Sequence, residues 1–514
     1  MLQLPALAST RLDFVAHFAT TTPDALAVLD FAQSRRLSYS QLEAAIAQAT
    51  AVLTDSLAEP IGQRVVVVSR NRAEVLVLHF ACIRCGAIFV PVNWRLAPAE
   101  IGFILADCRP ALVVAEPDFA AHVAASDSPR ILIDAGPTGL GARMAAVHAG
   151  KLRVRSDPAP DTPITLLYSS GTTGEPKGVI VTQLNAFAGS LNLALDMRCT
   201  ADCVFLCDMP LFHTAGLFAT ARTPLSVGGT VLISQKFDAA TTYERLCDPQ
   251  LGITHYFCVA QMAMSMRQLP GFDGRKLARL TALITGGAPN PAAHIERWLN
   301  DGVAMINAWG MSEICSGTAQ PLGDRRRLAD NPGAIGMPHL TIEMKLVDAH
   351  GRELGVAEAG EIWVRGWSVT PGYWERPDLD AQAFKEGWFR TGDVGIRDAA
   401  GSYILVDRIK DMFISGGENV YPAEVEAVII ELPGVSEVAV FGVPHEKWGE
   451  TGAALVTLEP GAALDPASIE AHCNSRLARF KIPQFIRIVA TLPHTGSGKI
   501  RKALLRAGWP GTGQ

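Results

Sequence analysis

The sequence predicts an α/β fold, with a large N-terminal domain built from several subdomains, mostly parallel sheets and a β subdomain, then a small α+β C-terminal domain. Three observations carry this. Short runs rich in valine and isoleucine alternate with stretches of helical period from residue 64 to 308, the pattern of a parallel sheet covered on both faces. Residues 331–376 change to a turn-rich texture, as in a small β unit. At 407–411 (D-R-I-K-D) the composition shifts again. At ~150 residues per domain, 514 residues imply about three units, some of them fused.

In order, residues 14–57 read as helix, polar turn (34–38) and helix. Residues 64–69 form a valine-rich strand; 72–85 have helical periodicity and Gly86 to stop it; 88–92 return to strand. Segments 111–115 and 130–133 continue the alternation, and the proline-rich 157–163 is a connector. A strand from 164 then runs into a glycine- and hydroxyl-rich loop, and 182–197 read as helix, which predicts a loop at a strand's carboxyl end. Strands follow at 204–207, 230–233, 254–259, 282–285 and 304–308. Most lead into a distinctive segment: 209–216 (M-P-L-F-H-T-A-G), 260–262, 286–289 (G-G-A-P) and 309–313 (W-G-M-S-E). Strand ends of a parallel sheet converge on one edge, so these segments are candidates for one crevice. Beyond 411, strands at 437–442 and 453–458 and a helix at 466–477 make a compact unit. The expected domains are 1–409 and 410–514.

Composition narrows the function classes. Hydrophobic residues are 48% and charged residues 19%, as in a globular enzyme. A net charge of −6 gives no overall attraction to nucleic acid or anionic lipid, so an anionic substrate needs local donors. Residues 1–22 lack a secretory pattern, and the longest apolar region, 75–92, is broken by His79, Arg84, Gly86 and Pro91, so no membrane span is expected. Ten cysteines include Cys82 and Cys85 and the evenly spaced Cys199, Cys203 and Cys207; none has the second pair or histidines a zinc site needs. Reduced thiols and a cytoplasmic location are expected.

Residues 164–178 read I-T-L-L-Y-S-S-G-T-T-G-E-P-K-G. Gly171 and Gly174 allow successive N–H groups to face one centre, Ser169, Ser170, Thr172 and Thr173 add hydroxyl donors, and Lys177 adds a cation. Such a loop suits a polyphosphate, although no G-x-x-x-x-G-K-[S/T] is present. A glycine-rich surface turn is the bland alternative. Residues 168–178 resemble the phosphate-binding signature of the adenylate-forming (AMP-binding) superfamily of acyl- and aryl-CoA synthetases, luciferases and adenylation domains. The resemblance continues in order down nearly the whole chain, and 407–426 and 433–450 look most like bacterial fatty-acyl- and feruloyl-CoA ligases.

This resemblance implies a site. Residues 308–313 (A-W-G-M-S-E) match an aromatic-Gly-x-[Ser/Thr]-Glu motif, with Trp where Tyr is commoner. By that match Trp309 and the backbone of Gly287, Ala288 and Pro289 flank adenine, with Asn307, Ala308, Gly310 and Met311 alongside. Ser312 contacts the α-phosphate, and Glu313 with Thr172 holds Mg²⁺, a hard ion that prefers oxygen. Asp393, in W-F-R-T-G-D, accepts from both ribose hydroxyls, and Arg408 anchors phosphate. Lys499, in L-P-H-T-G-S-G-K, resembles the late catalytic lysine; Lys410 takes the hinge position of a mobile C-terminal domain that serves two half-reactions. Gly417 then leaves room for the thiol arm of coenzyme A, and Trp448 matches an aromatic near its nucleotide. His213 matches a histidine at the acyl end, where it gates or orients the acid, a core histidine being the alternative. Phe212, Leu217, Phe218, Tyr256, Phe257, Met262, Ile314 and Cys315 are the expected apolar lining. Residues 259–261 (V-A-Q) depart from the V-P-T common among relatives.

The expected activity is therefore an ATP-dependent acid:CoA ligase on a fatty or aromatic acid, with ATP, Mg²⁺ and coenzyme A, and with Lys499, His213 and Glu313 as the catalytic set. A stand-alone enzyme loading a carrier protein, or a luciferase-type oxygenase, is the alternative. No nucleic-acid partner is expected, and a homodimer is left open.

Overall fold

The computed structural model describes residues 12–124, 126–134, 136–148, 158–170, 176–287, 290–416, 418–495 and 499–509. Two large sheets dominate. The first has six strands in the order Arg130–Leu132, Leu112–Ala115, Arg64–Val68, Ile88–Val92, Pro163–Ser170, Pro176–Thr182, parallel except for the last pair. Arg64–Val68 and Ile88–Val92 are buried almost throughout, which explains their unbroken apolar runs. Ala73–Cys85 connects them as a right-sized crossover helix and ends on Gly86, whose φ of +78° closes the last turn without a Cβ penalty.

The second sheet has nine strands. Its parallel centre runs Met305–Trp309, Ala282–Thr285, His255–Cys258, Val204–Cys207, Thr230–Ile233, Leu26–Asp30. The carboxyl ends of these strands feed residues 208–214, 259–262, 286–287 and 310–313, so the segments singled out in the sequence do share one edge. A third, antiparallel sheet joins Ile342–Val347, Ala359–Gly366, Trp388–Arg397, Phe384–Lys385 and Tyr403–Arg408, and its register sets Asp393 opposite Arg408. A fourth sheet takes Glu418–Val420, Phe413–Ser415, Gly449–Leu458 and Val435–His445, with Phe485–Ile488 parallel at the edge, around its own core of Phe413, Val425, Ile429, Val440 and Val456.

One local expectation is corrected and one strand is added. Residues 14–57 are not helix–turn–helix: between Phe14–Thr21 and Tyr39–Ser56 lies a hairpin, Leu26–Asp30 with Arg35–Ser38. The run A-L-A-V-L-D fits a buried strand or a helix equally, and pairing of Val28 with Val231 decides it. The loop expected at a strand's carboxyl end does follow Pro163–Ser170, and the helix expected from 182 is present, but between them lies a strand that escaped the sequence reading. Pro176–Thr182 is a strand antiparallel to Pro163–Ser170, favoured by V-I-V, and the helix starts only at Gln183, capped reciprocally by Thr182 and Asn185. Among the described residues, no helix is long and apolar enough to cross a membrane.

Candidate active site

The hairpin register places Ser169 directly opposite Lys177. The Ser169 hydroxyl is buried without a hydrogen-bond partner among the described residues, the condition of a group waiting for an acceptor. Lys177 Nζ donates to the Tyr373 hydroxyl at 2.8 Å and lies 3.1 Å from Glu313 Oε1; the Tyr373 hydroxyl donates to that same oxygen at 2.9 Å. Phosphate-loop cation and candidate metal ligand are thus bridged by one phenol. Tyr373 escaped the sequence reading, since it lies 196 residues from Lys177 and 60 from Glu313. Its only local signal is the turn-rich G-Y-W. Ser170 closes its strand, while Gly171, Thr172, Thr173, Gly174, Ala288, Pro289 and Gly417 lie outside the described residues.

The aromatic-Gly-x-Ser-Glu segment leaves the nine-stranded sheet at Trp309. Its indole N–H donates to Asp393 Oδ2 at 2.8 Å, joining two motifs 84 residues apart. Gly317 lies under the ring, where a Cβ would meet Trp309 Cζ3 at 2.6 Å. Gly310 lets the chain fold back, since a Cβ there would sit 2.9 Å from the carbonyl of Cys315. Gly287 has φ +82° beside this wall. Asn307 is engaged within the scaffold: its Oδ1 accepts from the Thr285 hydroxyl at 2.8 Å and its Nδ2 donates to the Pro332 carbonyl at 3.3 Å. Ala308 is buried in the sheet, Met311 and Ser312 are half-buried, and the hydroxyls of Ser312 and Thr214 are 3.5 Å apart.

Asp393 is buried, and its second oxygen, Oδ1, lies 3.0 Å from Arg408 Nε yet lacks an aligned hydrogen bond. It is charge-balanced but free to accept. Lys499 follows a turn closed by the bridge between His494 and Ile500, with its own N–H donated to the Thr495 hydroxyl. Its ammonium lies within electrostatic reach of Arg408, Asp393, Glu313 and Lys410. Burial first, then the repulsion of Arg408 and Lys410, push its pKa down to about 8 against the pull of the two carboxylates. Burial also lowers Lys410, with Arg408 and Lys177 adding repulsion. His213 is held neutral, its pKa lowered to about 4 by burial and then by Lys499, and its Nδ1 accepts from the Ala215 N–H at 3.3 Å. Four cations, Lys177, Arg408, Lys410 and Lys499, therefore surround two carboxylates, Asp393 and Glu313. That surplus suits a polyanion in a chain whose overall charge is negative.

The apolar lining divides in two. Phe257, Val259, Met209, Ala219 and Ala308 share one cluster, against which Met262 packs. Leu217, Phe218 and Ile314 belong to the central core with Cys315 against it, and Phe212 is half-buried. Tyr256 is corrected: strand alternation turns it to the opposite face of the sheet, where its hydroxyl donates to Asp208 within a separate core. Trp448 lies in the turn between Val435–His445 and Gly449–Leu458 of the fourth sheet, its ring covering Gly416. Among the described residues, no three His, Cys, Asp or Glu gather as a metal cluster. The lone buried carboxylate of Glu313 fits a magnesium ion held chiefly by phosphate and water oxygens.

Fold and site together define a nucleotide-dependent acid-activating enzyme. The AMP-binding enzyme profile matches residues 15–374, and that of the AMP-binding enzyme C-terminal domain matches 424–499. A feruloyl-CoA synthase of Amycolatopsis sp is 36% identical over 476 residues, covering 91% of this chain and 93% of that protein. The long-chain-fatty-acid–CoA ligase FadD13 of Mycobacterium tuberculosis is 34% identical, covering 96% and 97%. Among solved structures, ATP-bound MatB from Rhodopseudomonas palustris superposes with a TM-score of 0.90 at 30% identity, covering 97% of this chain and 99% of that one. The chain belongs to the AMP-binding enzyme family. It is an AMP-forming acyl-CoA synthetase, an acid:CoA ligase that uses ATP, Mg²⁺ and coenzyme A.

Proposed function

We propose that the acid is hydrophobic, aromatic or fatty, and that residues 1–409 bind it with ATP while a mobile domain, 410–514, supplies Lys499. The acid's carboxylate oxygen attacks the α-phosphorus, the bond to pyrophosphate breaks, and acyl-AMP forms. The thiol of coenzyme A then attacks the acyl carbon and expels AMP. The first step is needed because a free carboxylate has no good leaving group.

Lys499 places its ammonium beside the carboxylate and α-phosphate, where negative charge builds; a donor in that position is worth ~10²–10³ in rate. Asp393 accepts from the ribose diol, Arg408 and Lys177 anchor phosphates, and Ser169 donates to them. Glu313 would hold Mg²⁺, which supplies charge neutralisation on the phosphates. His213, being neutral, orients the acid rather than pairing with it. Lys410 is the hinge about which the small domain turns to bring Gly417 and Trp448 to coenzyme A.

The observation that carries this reading is the convergence of Lys499, Asp393, Glu313 and Arg408 from separate parts of the chain. The relatives support a hydrophobic acid: they include a feruloyl-CoA synthase, an indoleacetate–CoA ligase and a long-chain-fatty-acid ligase. Pyrophosphate release with a panel of acids, followed by thioester detection with coenzyme A, tests it. Acyl-AMP without thioester would redirect the reading to a carrier-protein loader; a fatty acid–[acyl-carrier-protein] ligase of Streptomyces coeruleorubidus is 32% identical over 98% of this chain. Free cysteines, six of them fully buried in the two large-sheet cores and helix Ala73–Cys85, fit a reducing cytoplasm. A homodimer is the assembly to test.

A further inference from the structure

The helix that follows His213, Ala215–Arg222, is wound as a π-helix and ends in an arginine that is only 1% exposed. A buried guanidinium is normally matched by a carboxylate, because the uncompensated charge costs several kcal/mol. Among the described residues, Arg222 has none within ion-pair distance. The acids close by are committed elsewhere: Arg84 takes both Asp13 and Glu43, with contacts of 2.5 to 3.2 Å. Around Arg222 stand instead the rings of Phe14, Phe80 and Phe218, 5.0, 5.3 and 5.8 Å from its central carbon.

Among the described residues its one polar partner is the equally buried His79, whose Nε2 accepts from Arg222 at 2.9 Å. That bond places the imidazole proton on Nδ1. Both His79 Nδ1 and Arg222 Nε are then buried N–H donors, and neither has a partner. Two unsatisfied donors on one bonded pair call for oxygen acceptors. The charges agree: His79 is held neutral by burial and by Arg222, whose own pKa falls to about 10.

The pair lies on the acid side of the site. Cys315, two residues past Glu313, exchanges electrostatic influence with Arg222, and its Cβ closes against Gly189. Phe218, on the same helix and among the expected lining of the acid site, packs against both members of the pair, 6.0 Å from the His79 ring and 5.8 Å from the Arg222 guanidinium carbon. The eight residues of helix after Thr214, Ala215–Arg222, correspond to about 12 Å at the α-helical rise, the length of a short aryl or medium-chain acid.

We infer that Arg222 and His79 form a polar pole at the far end of the acid site, taking a distal acceptor oxygen of the substrate, a second carboxylate or a ring oxygen. This rests on the acid-activating reading above and makes it specific: the preferred acid is apolar in its body and oxygenated at its tip. Pairs matched in length separate the two sources: adipate against hexanoate, and 4-hydroxycinnamate against cinnamate, each followed by pyrophosphate release.

Wild-type enzyme is expected to favour the oxygenated member of at least one pair by about 10-fold or more in kcat/KM, the worth of a hydrogen bond to a charged donor. In Arg222→Met that ratio should collapse toward one, chiefly through KM, and Arg222→Lys should restore part of it. A wild-type preference for the plain member of both pairs overturns the inference. So does an Arg222→Met enzyme that loses activity on both members equally, the signature of a packing role. Should Arg222→Met not fold by thermal melting, the wild-type ratios and the lysine variant decide. If no acid in the panel releases pyrophosphate, it is the acid-activating reading that fails; if only plain acids react, the polar pole alone is wrong.

Discussion

Replacing Trp309 by Phe removes one hydrogen bond and keeps an aromatic ring. In the structure the indole N–H donates to Asp393 Oδ2 at 2.8 Å, and Arg408 stands 3.0 Å from the other oxygen. The carboxylate is buried, so without the indole Oδ2 has no solvent to replace it. A hydrogen bond to a charged group contributes about 1.5–3 kcal/mol. At ~1.4 kcal/mol per decade this is roughly 10–150-fold. Arg408 still holds one oxygen, so the lower end applies: kcat/KM for ATP should fall about 10-fold, mostly in KM. The loss acts through the ribose diol, so 2′-deoxy-ATP, which presents one hydroxyl fewer to Asp393, should lose distinctly less. The assay is pyrophosphate release against both nucleotides, with melting temperature followed to register loss of ring packing over Gly317. Equal losses for ATP and 2′-deoxy-ATP would refute the reasoning and leave Trp309 as a wall of the pocket alone.

Three further outcomes follow from the site. Lys499→Ala should still bind ATP but lose ~10²–10³ of its adenylation rate; unchanged turnover removes Lys499 from the chemistry. Burial and neighbouring cations lower the Lys499 pKa to about 8, and in the proposed role its charged form is the competent one. In the free enzyme kcat/KM should therefore fall as pH rises through about 8, and kcat should hold to higher pH once bound phosphates stabilise the ammonium; profiles that stay flat to alkaline pH contradict this. Tyr373→Phe breaks the bridge between Lys177 and Glu313. A several-fold rise in the Mg²⁺ and ATP concentrations needed for half-maximal rate is expected, from a hydrogen bond worth ~1 kcal/mol. An unchanged Mg²⁺ titration would show the phenol to be incidental.

What the sequence by itself determined is the family, the reaction and the order of the site's parts. Loops that cradle phosphate, turn sharply or present a carboxylate need particular residue types at contiguous positions, as in 168–178, 309–313 and 388–393. Alternating strand and helix periods likewise placed 208–214, 259–262, 286–287 and 310–313 on one sheet edge. The tertiary structure alone decided whatever depends on distant pairing. Strand pairing with Thr230–Ile233 made Leu26–Asp30 a strand, and pairing with Pro163–Ser170 made Pro176–Thr182 one. Strand parity carried Tyr256 out of the lining. The indole of Trp309 on Asp393, the phenol of Tyr373 between Lys177 and Glu313, and the bond between Arg222 and His79 are also invisible in sequence. Each joins residues 60 to 196 positions apart, and no local preference encodes a contact made only when separate elements close on one another.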